Sequence, residues 1–287
     1  MQVKNPMNNY NRYLSLFFLW IGIIAIVYFT AHFSKRFLPE PSSEHGLWMD
    51  ELFNYTLLII VFVFLLTQIL LFTFLFRYGN SESAVHYPYN NKIEVAWTVI
   101  PTLTFVVLFF FSSYYWDKIM YSKQETFLEI DIMAQQFNWQ IRYPGKDGKL
   151  GRSNAALISN SNPMGIDVTD PASKDDFTAY QMHLPKGKQI KLKIRSKDVI
   201  HSVYLPHFRV KMDAVPGMTT KFDFIPRFTT LEMKEKLGDP DFNYEMACAE
   251  LCGRGHFLML HYVVVDELSE FNKWYNQSSD YIITDLY

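Results

Sequence analysis

A chain of 287 residues with 49% hydrophobic and 17% aromatic residues carries a formal net charge of only -2. Its Lys and Arg residues form no basic stripe, which excludes a nucleic-acid partner. Two cysteines, both in Cys248-Ala249-Glu250-Leu251-Cys252, are too few for the disulfide framework of a small secreted domain, and no Cys-x-x-Cys-His occurs to attach a haem covalently.

The apolar residues are concentrated near the N-terminus. Runs at about 13–33, 52–76 and 95–116 each approach the roughly 20 residues that cross a bilayer, and they predict a membrane region over 1–122. The second and third runs are apolar on every face, unlike helices of a soluble core. They end in Arg77-Tyr78 and Tyr114-Tyr115-Trp116, a basic and aromatic fringe suited to headgroups. The first run, with Lys4 and Arg12 before it, also has the form of a signal peptide. It is read as a retained helix, because Thr30-Ala31-His32-Phe33 leads straight to Lys35 and Arg36 with no small-x-small cleavage site.

From about residue 123 the pattern alternates, in FLEIDIMAQ, KQIKLKIRS, TTKFDFIP and LMLHYVVVDE, with Pro, Gly and Asp clusters between. This predicts a small antiparallel β domain over 123–287. A polar stretch at about 145–178, rich in Gly, Ser, Asn and Asp, is expected as a surface loop or insertion. Residues 267–276 are expected as a short amphipathic helix with Leu268, Phe271 and Trp274 on one face.

The chemistry is concentrated in Cys248, Glu250, Cys252, His256 and Met259, two thiols, an imidazole, a thioether and a carbonyl in one loop between predicted strands. Soft ligands of this kind suit copper. A second imidazole, His201, follows Asp198-Val199-Ile200, near where a β-sandwich gathers its loops at one end. Two cysteines can bridge two copper ions, each with one histidine and one weak axial donor, Met259 for one and the Glu250 carbonyl for the other. Such a site shares one electron between two metals, while a rigid β scaffold restricts movement on redox change. A tetrahedral zinc site of two cysteines and two histidines uses the same residues at a spacing unusual for zinc. A local disulfide is a third arrangement, one that leaves His256 and Met259 unexplained. No nucleophile-base pair or phosphate loop accompanies the cluster, so bond chemistry is not expected in this domain.

The loop matches the pattern C-x-E-x-C-G-x-x-H-x-x-M of the binuclear copper (CuA) centre of cytochrome c oxidase subunit II. His201 lies in that family's Asp-Val-Ile/Leu-His, and Val203 to Gly217 resembles its stretch ending Asp-Ala-Val/Ile-Pro-Gly. Over about 52–267 the chain resembles this family. The resemblance implies N-terminal transmembrane helices, three spans of which two form the family hairpin, followed by an all-β cupredoxin-like sandwich. It implies His201, Cys248, Glu250, Cys252, His256 and Met259 as ligands of a binuclear copper centre, Glu250 through its main-chain oxygen. The Glu250 carboxylate would face a magnesium ion shared with the catalytic subunit, and no haem would sit on this chain. Function would be one-electron uptake from a cytochrome c or a c-type cytochrome domain and transfer to haem in oxidase subunit I. Reduction of oxygen to water, coupled to proton translocation, would occur there, with other oxidase subunits and the lipid bilayer as neighbours. The implied location is a bacterial-type inner (plasma) membrane, with the copper domain on the periplasmic side.

Glu94-Val95-Ala96-Trp97-Thr98-Val99-Ile100-Pro101 resembles the family's E-x-x-W-T-x-x-P, whose glutamate guards a proton path into the catalytic subunit. A carboxylate favoured by the dipole at a helix N-terminus is the plain alternative for Glu94. The family's electron-uptake patch commonly reads Q-W-x-W; here Gln136-Phe137-Asn138-Trp139 keeps an aromatic face at Phe137 and loses an indole N–H. Phe137 and Trp139 are the candidates for that role. Lys197 stands where a docking carboxylate is often found, beside Asp198. Two other classes share parts of this pattern. A quinol oxidase subunit II lacks the copper ligands, and a stand-alone copper transfer or storage protein has no use for Glu94 and paired hairpin helices.

Overall fold

The structure, a computed structural model, describes residues 9–33, 38–78, 83, 85–121 and 125–279. Three helices come first, α1 (Asn9–Phe33), α2 (Glu44–Tyr78) and α3 (Asn91–Met120). By length and composition α2 and α3 are suited to cross a membrane, whereas the apolar helical part of α1, Leu16–Thr30, is shorter. Thr30 and His32 continue α1 as helix, and Lys35 and Arg36 lie outside the described residues. The chain divides into two compact units, one of Met1–Pro39 and Asp50–Tyr114, the other of Glu40–Met49 and Tyr115–Tyr287.

In the first unit the large apolar side chains point outward along the helices, with Leu58 67%, Phe62 64% and Phe110 66% exposed. A water-soluble helix would keep a polar face. Here bilayer or a partner's helices must supply the apolar surroundings.

The second unit is a β-sandwich. Its strands are β1 (Leu128–Gln135), β2 (Asn138–Tyr143), β3 (Phe177–Ala179), β4 (Met182–Pro185), β5 (Ile190–Ser196), β6 (His201–Leu205), β7 (Val210–Ala214), β8 (Thr220–Phe224), β9 (Tyr244–Cys248) and β10 (Leu260–Asp266). They form two five-stranded sheets, in the orders β3-β2-β1-β5-β8 and β4-β10-β9-β6-β7. Ile130, Ile132, Ile141, Leu192 and Ile194 of the first sheet and Val203, Leu205, Met246 and Val263 of the second are buried in one core. Alternation turns these residues inward, as sandwich packing requires, while Asp131, Arg142 and Arg195 on the first sheet are buried as ion pairs with the insertion over them.

The sheets are mixed, where antiparallel pairing was expected: β1 runs parallel to β5 and β10 parallel to β4. A period-2 pattern fixes which side chains face inward but is the same for either strand direction. The insertion also departs from a plain surface loop. It buries Met164 and Ile166 with Met133, and its last residues join β3 at the sheet edge. Its polar residues hold its own backbone: Asn162 accepts from the Ile166 N–H at 2.9 Å and donates to the Ile166 carbonyl at 2.8 Å. A helix not anticipated, α4 (Thr230–Leu237), is closed by a reciprocal capping box between Thr229 and Glu232. The expected C-terminal helix is α5 (Leu268–Ser278), with Phe271 buried and Trp274 stacked on His183 at 4.1 Å.

His207 packs edge-on against Phe242 and Tyr244, with ring centroids 5.0 and 5.6 Å away. Burial, and secondarily the Arg209 guanidinium, pull its pKa down to about 4. A folded-state pKa below the unfolded value gives stability that is present above pH ~6.5 and lost as pH falls toward 4. Denaturant titrations of the chain in detergent should therefore show a fall of about 1 kcal/mol from this residue across that window, less than the full shift because the half-buried ring is screened by solvent. His207→Gln should make the fall smaller by that share; an identical pH profile would show that His207 does not contribute.

Candidate metal centre

β6 and β9 are neighbours, with Val203 opposite Cys248, so His201 at the start of β6 lies beside the end of β9. β9 and β10 pair antiparallel, and the Cys248 N–H donates to the Met259 carbonyl at 3.2 Å where their connection begins and ends. Every other proposed ligand is in that connection. The fold thus brings together all six residues singled out from the sequence.

Their donor atoms form two matched halves. Cys248 Sγ lies 3.8 Å from His201 Nδ1 and 3.2 Å from the Glu250 carbonyl oxygen. Cys252 Sγ lies 3.6 Å from His256 Nδ1 and 3.5 Å from Met259 Sδ. The two sulfurs are 3.9 Å apart and both thiols are free. Each sulfur therefore has one imidazole and one weak donor on its own side. His201 and Met259 are buried with both cysteines, whereas His256 is half-buried and Glu250 exposed, so only the Glu250 main chain turns inward.

Burial, and next the neighbouring Cys248, push the Cys252 thiol pKa up to about 11. Two thiolates are costly there unless a cation lies between them. A soft metal ion removes that cost by replacing the protons, so the donor set fits copper.

Asp198 orients one half of the site. Its Oδ1 is 2.9 Å from His201 Nε2, an arrangement that places the proton on Nε2 and leaves Nδ1 free to face the metal. Its Oδ2 accepts from the Gln136 N–H at 2.7 Å. Burial opposes ionisation of Asp198, but the hydrogen bonds from Gln136, His201 and Val199 outweigh it and hold the carboxyl below its usual range. Trp139 is buried beneath the cluster, donating Nε1–H to the Met259 carbonyl at 3.3 Å and meeting the His201 ring edge-on at 6.1 Å. Phe137 is half-buried beside the connection at Gly253 and Gly255. The orienting role of Asp198 and the contact of Gln136 were not read from the sequence. An aspartate three residues before a ligand histidine, at a turn into a strand, is the signal that points to the first.

Glu94 lies in the other unit, exposed in the first turn of α3, where its Oε1 accepts from the Asn90 N–H at 3.1 Å. His183 is paired with Asp266 at 3.1 Å and His261 with Asn138 at 3.0 Å, so neither joins the cluster.

Two apolar helices long enough to span a membrane, followed by a β-sandwich with a buried thiol and imidazole cluster at one end, define a membrane-anchored cupredoxin-like protein. Residues 31–114 match the family model for the transmembrane domain of cytochrome c oxidase subunit II, and residues 128–267 match the model for its periplasmic domain. The chain is 32% identical over 274 residues to the alternative cytochrome c oxidase subunit 2 of Bradyrhizobium diazoefficiens, covering 93% of this chain and 92% of that one. It is 26% identical over 284 residues to cytochrome c oxidase subunit 2 of Thermostichus vulcanus, covering 89% and 83%. Among solved structures, the periplasmic domain of subunit II of cytochrome oxidase (CoxB) of Bradyrhizobium japonicum is similar at 26% identity and a TM-score of 0.38, over 55% of this chain and 96% of that one. The chain belongs to the cytochrome c oxidase subunit II family and is a subunit of an oxidoreductase. The family implies copper, with which the cluster of His201, Cys248 and Cys252 is compatible.

Proposed function

We propose that this chain takes up electrons one at a time from a cytochrome c, or a c-type cytochrome domain, and passes them to haem in subunit I of the oxidase. The observation that carries this reading is the pairing of donors about two sulfurs 3.9 Å apart, one imidazole and one weak donor to each. His201, Cys248, Glu250, Cys252, His256 and Met259 would hold two copper ions, which when bound supply reversible one-electron chemistry. The chain's own part is to keep that geometry fixed. Cys248 is held at the end of β9, Cys252 by the Gln136 amide on its carbonyl, His201 by Asp198, and the Met259 carbonyl by Trp139. Phe137 and Trp139 are the electron-uptake residues in this reading, the first partly exposed and the second in contact with a ligand ring.

The finer assignments follow the motifs. Glu94 is the entrance of the proton path, supported by its place in the E-x-x-W-T-x-x-P pattern and its exposure at a helix N-terminus. The Glu250 carboxylate, exposed beside the proposed copper ligands, would hold a magnesium ion shared with the catalytic subunit. The membrane-spanning helices come from within 1–122 and the copper domain is 123–287 completed by Glu40–Met49, on the periplasmic side of a bacterial-type inner membrane. Oxygen reduction and the associated proton translocation take place on partner subunits.

Metal analysis and electron paramagnetic resonance of the full chain, loaded with copper in detergent, test this function. Two coppers per chain and a signal from one electron shared by both nuclei are expected. One copper, zinc, or a signal from a single isolated nucleus would overturn it.

A further inference from the structure

We infer that Gly255 is a positioning residue for electron uptake: its missing side chain lets the Phe137 ring lie flush on the backbone between Cys252 and His256. This rests on the proposed function, which it deepens by stating what holds the uptake residue in place. A Cβ built on Gly255 would lie 2.5 Å from Cγ and Cδ2 of Phe137, closer than real Cβ atoms approach, and that atom belongs to a rigid ring. A Cβ on Gly253 would lie 3.1 Å from Cζ at the ring's other end and 3.0 Å from Gln136 Nε2. The ring therefore runs along the peptide from Gly253 to Gly255, with its root at Gly255 and its tip at Gly253. Gly253 has a second constraint, a φ of 131°, so Gly255 is the position at which the contact alone is at stake.

The preceding residue fixes the direction of approach. Gln136 donates its side-chain amide to the Cys252 carbonyl at 2.6 Å and its N–H to Asp198 at 2.7 Å, tying the turn to both halves of the cluster. Phe137 itself has no polar atom with which to fix its ring. A tryptophan there would have an indole N–H as a handle; phenylalanine depends on shape, and the two glycines supply that shape. The ring is thus in contact with the peptide next to a proposed copper ligand while the residue remains partly exposed. In the uptake step one electron leaves a ferrous c-type haem, which becomes ferric, and one electron arrives at the metal centre; no atom is transferred.

The test uses the assembled oxidase carrying Gly255→Ala, Phe137→Ala or both, with reduced cytochrome c mixed by stopped flow. Gly255→Ala should keep the copper content and the shared-electron signal, and should keep the later transfer to haem. It should slow the first electron uptake by roughly ten- to a hundredfold, the scale on which a misplaced group is felt. In the double variant the effect of Gly255→Ala should vanish against Phe137→Ala, because one contact cannot be lost twice. Uptake at the parental rate in Gly255→Ala, or additive losses in the double variant, would overturn the inference. If Gly255→Ala alone fails to load copper, the double variant decides: loading restored by the smaller residue 137 supports the contact, and no restoration overturns it. A parental oxidase whose copper centre is not reduced by cytochrome c refutes the proposed function itself, an outcome distinct from all of these.

Discussion

Cys252→Ser should abolish the shared-electron signal and lower copper from two ions per chain to one at most. Cys252 is the sulfur on which His256 and Met259 converge, at 3.6 and 3.5 Å, and it faces Cys248 at 3.9 Å. A serine hydroxyl is a hard donor that does not ionise readily in a buried place, so it replaces neither the charge nor the softness of a thiolate. One bridge between the two halves is then lost. Loss of a partner outside the ligand set typically costs metal sites 10- to 100-fold, and loss of a bridging ligand should exceed this, lowering cytochrome c oxidation by more than about a hundredfold. Copper analysis, spin resonance and turnover of the assembled oxidase measure all three quantities. A variant that keeps two coppers and normal turnover would refute the bridging role.

Asp198→Ala should weaken copper retention by about 10- to 100-fold, the effect expected when a ligand histidine loses the carboxylate that orients it. The His201 ring is fully buried, and of the polar side chains that meet its Nε2, Asp198 is the one at hydrogen-bond distance, 2.9 Å. Without it the imidazole loses the partner that sets its tautomer, and the Gln136 N–H loses an acceptor at 2.7 Å. Asp198→Asn retains an amide oxygen that can accept from Nε2–H and should fall between the two. Competition with a copper chelator ranks the three proteins. Equal retention by all of them would mean that the sandwich alone holds His201.

The cluster of six donors was legible because its chemistry is local. Five of the six residues are within twelve positions of one another, from Cys248 to Met259, and the strands on either side show their alternation. His201 needed the further assumption that loops gather at one end of a sandwich, which the β6-β9 pairing bears out. The sandwich was legible for the same reason, while its parallel pairs were not, since alternation carries no direction. In the insertion, order comes from polar side chains bonding to neighbouring backbone, as at Asn162, and composition alone does not separate such a segment from a loose one. α4 has a readable start signal in Thr229-x-x-Glu232, but its eight residues are mostly charged or polar and show no apolar periodicity to accompany it. The Gln136 contact with Asp198 and the seat of Phe137 are contacts across 62 and more positions of chain, which no local pattern records.

The ten residues Glu40–Met49 belong to the compact β unit although Glu44–Met49 are the first turns of α2. Ser42 donates its N–H to the His207 carbonyl at 2.7 Å and accepts from the Arg227 N–H at 2.8 Å; Glu44 donates to the Ile225 carbonyl at 3.2 Å, and Ser43 Oγ to the Phe208 carbonyl at 2.6 Å. The copper domain is therefore a discontinuous piece of sequence, completed by a strap from upstream. A water-soluble fragment cut after α3 would lack its own first segment and expose four unpaired backbone groups along a seam. Supplying 40–49 in trans as a peptide, or splicing it ahead of residue 123 through a flexible link, is the way to prepare the domain whole.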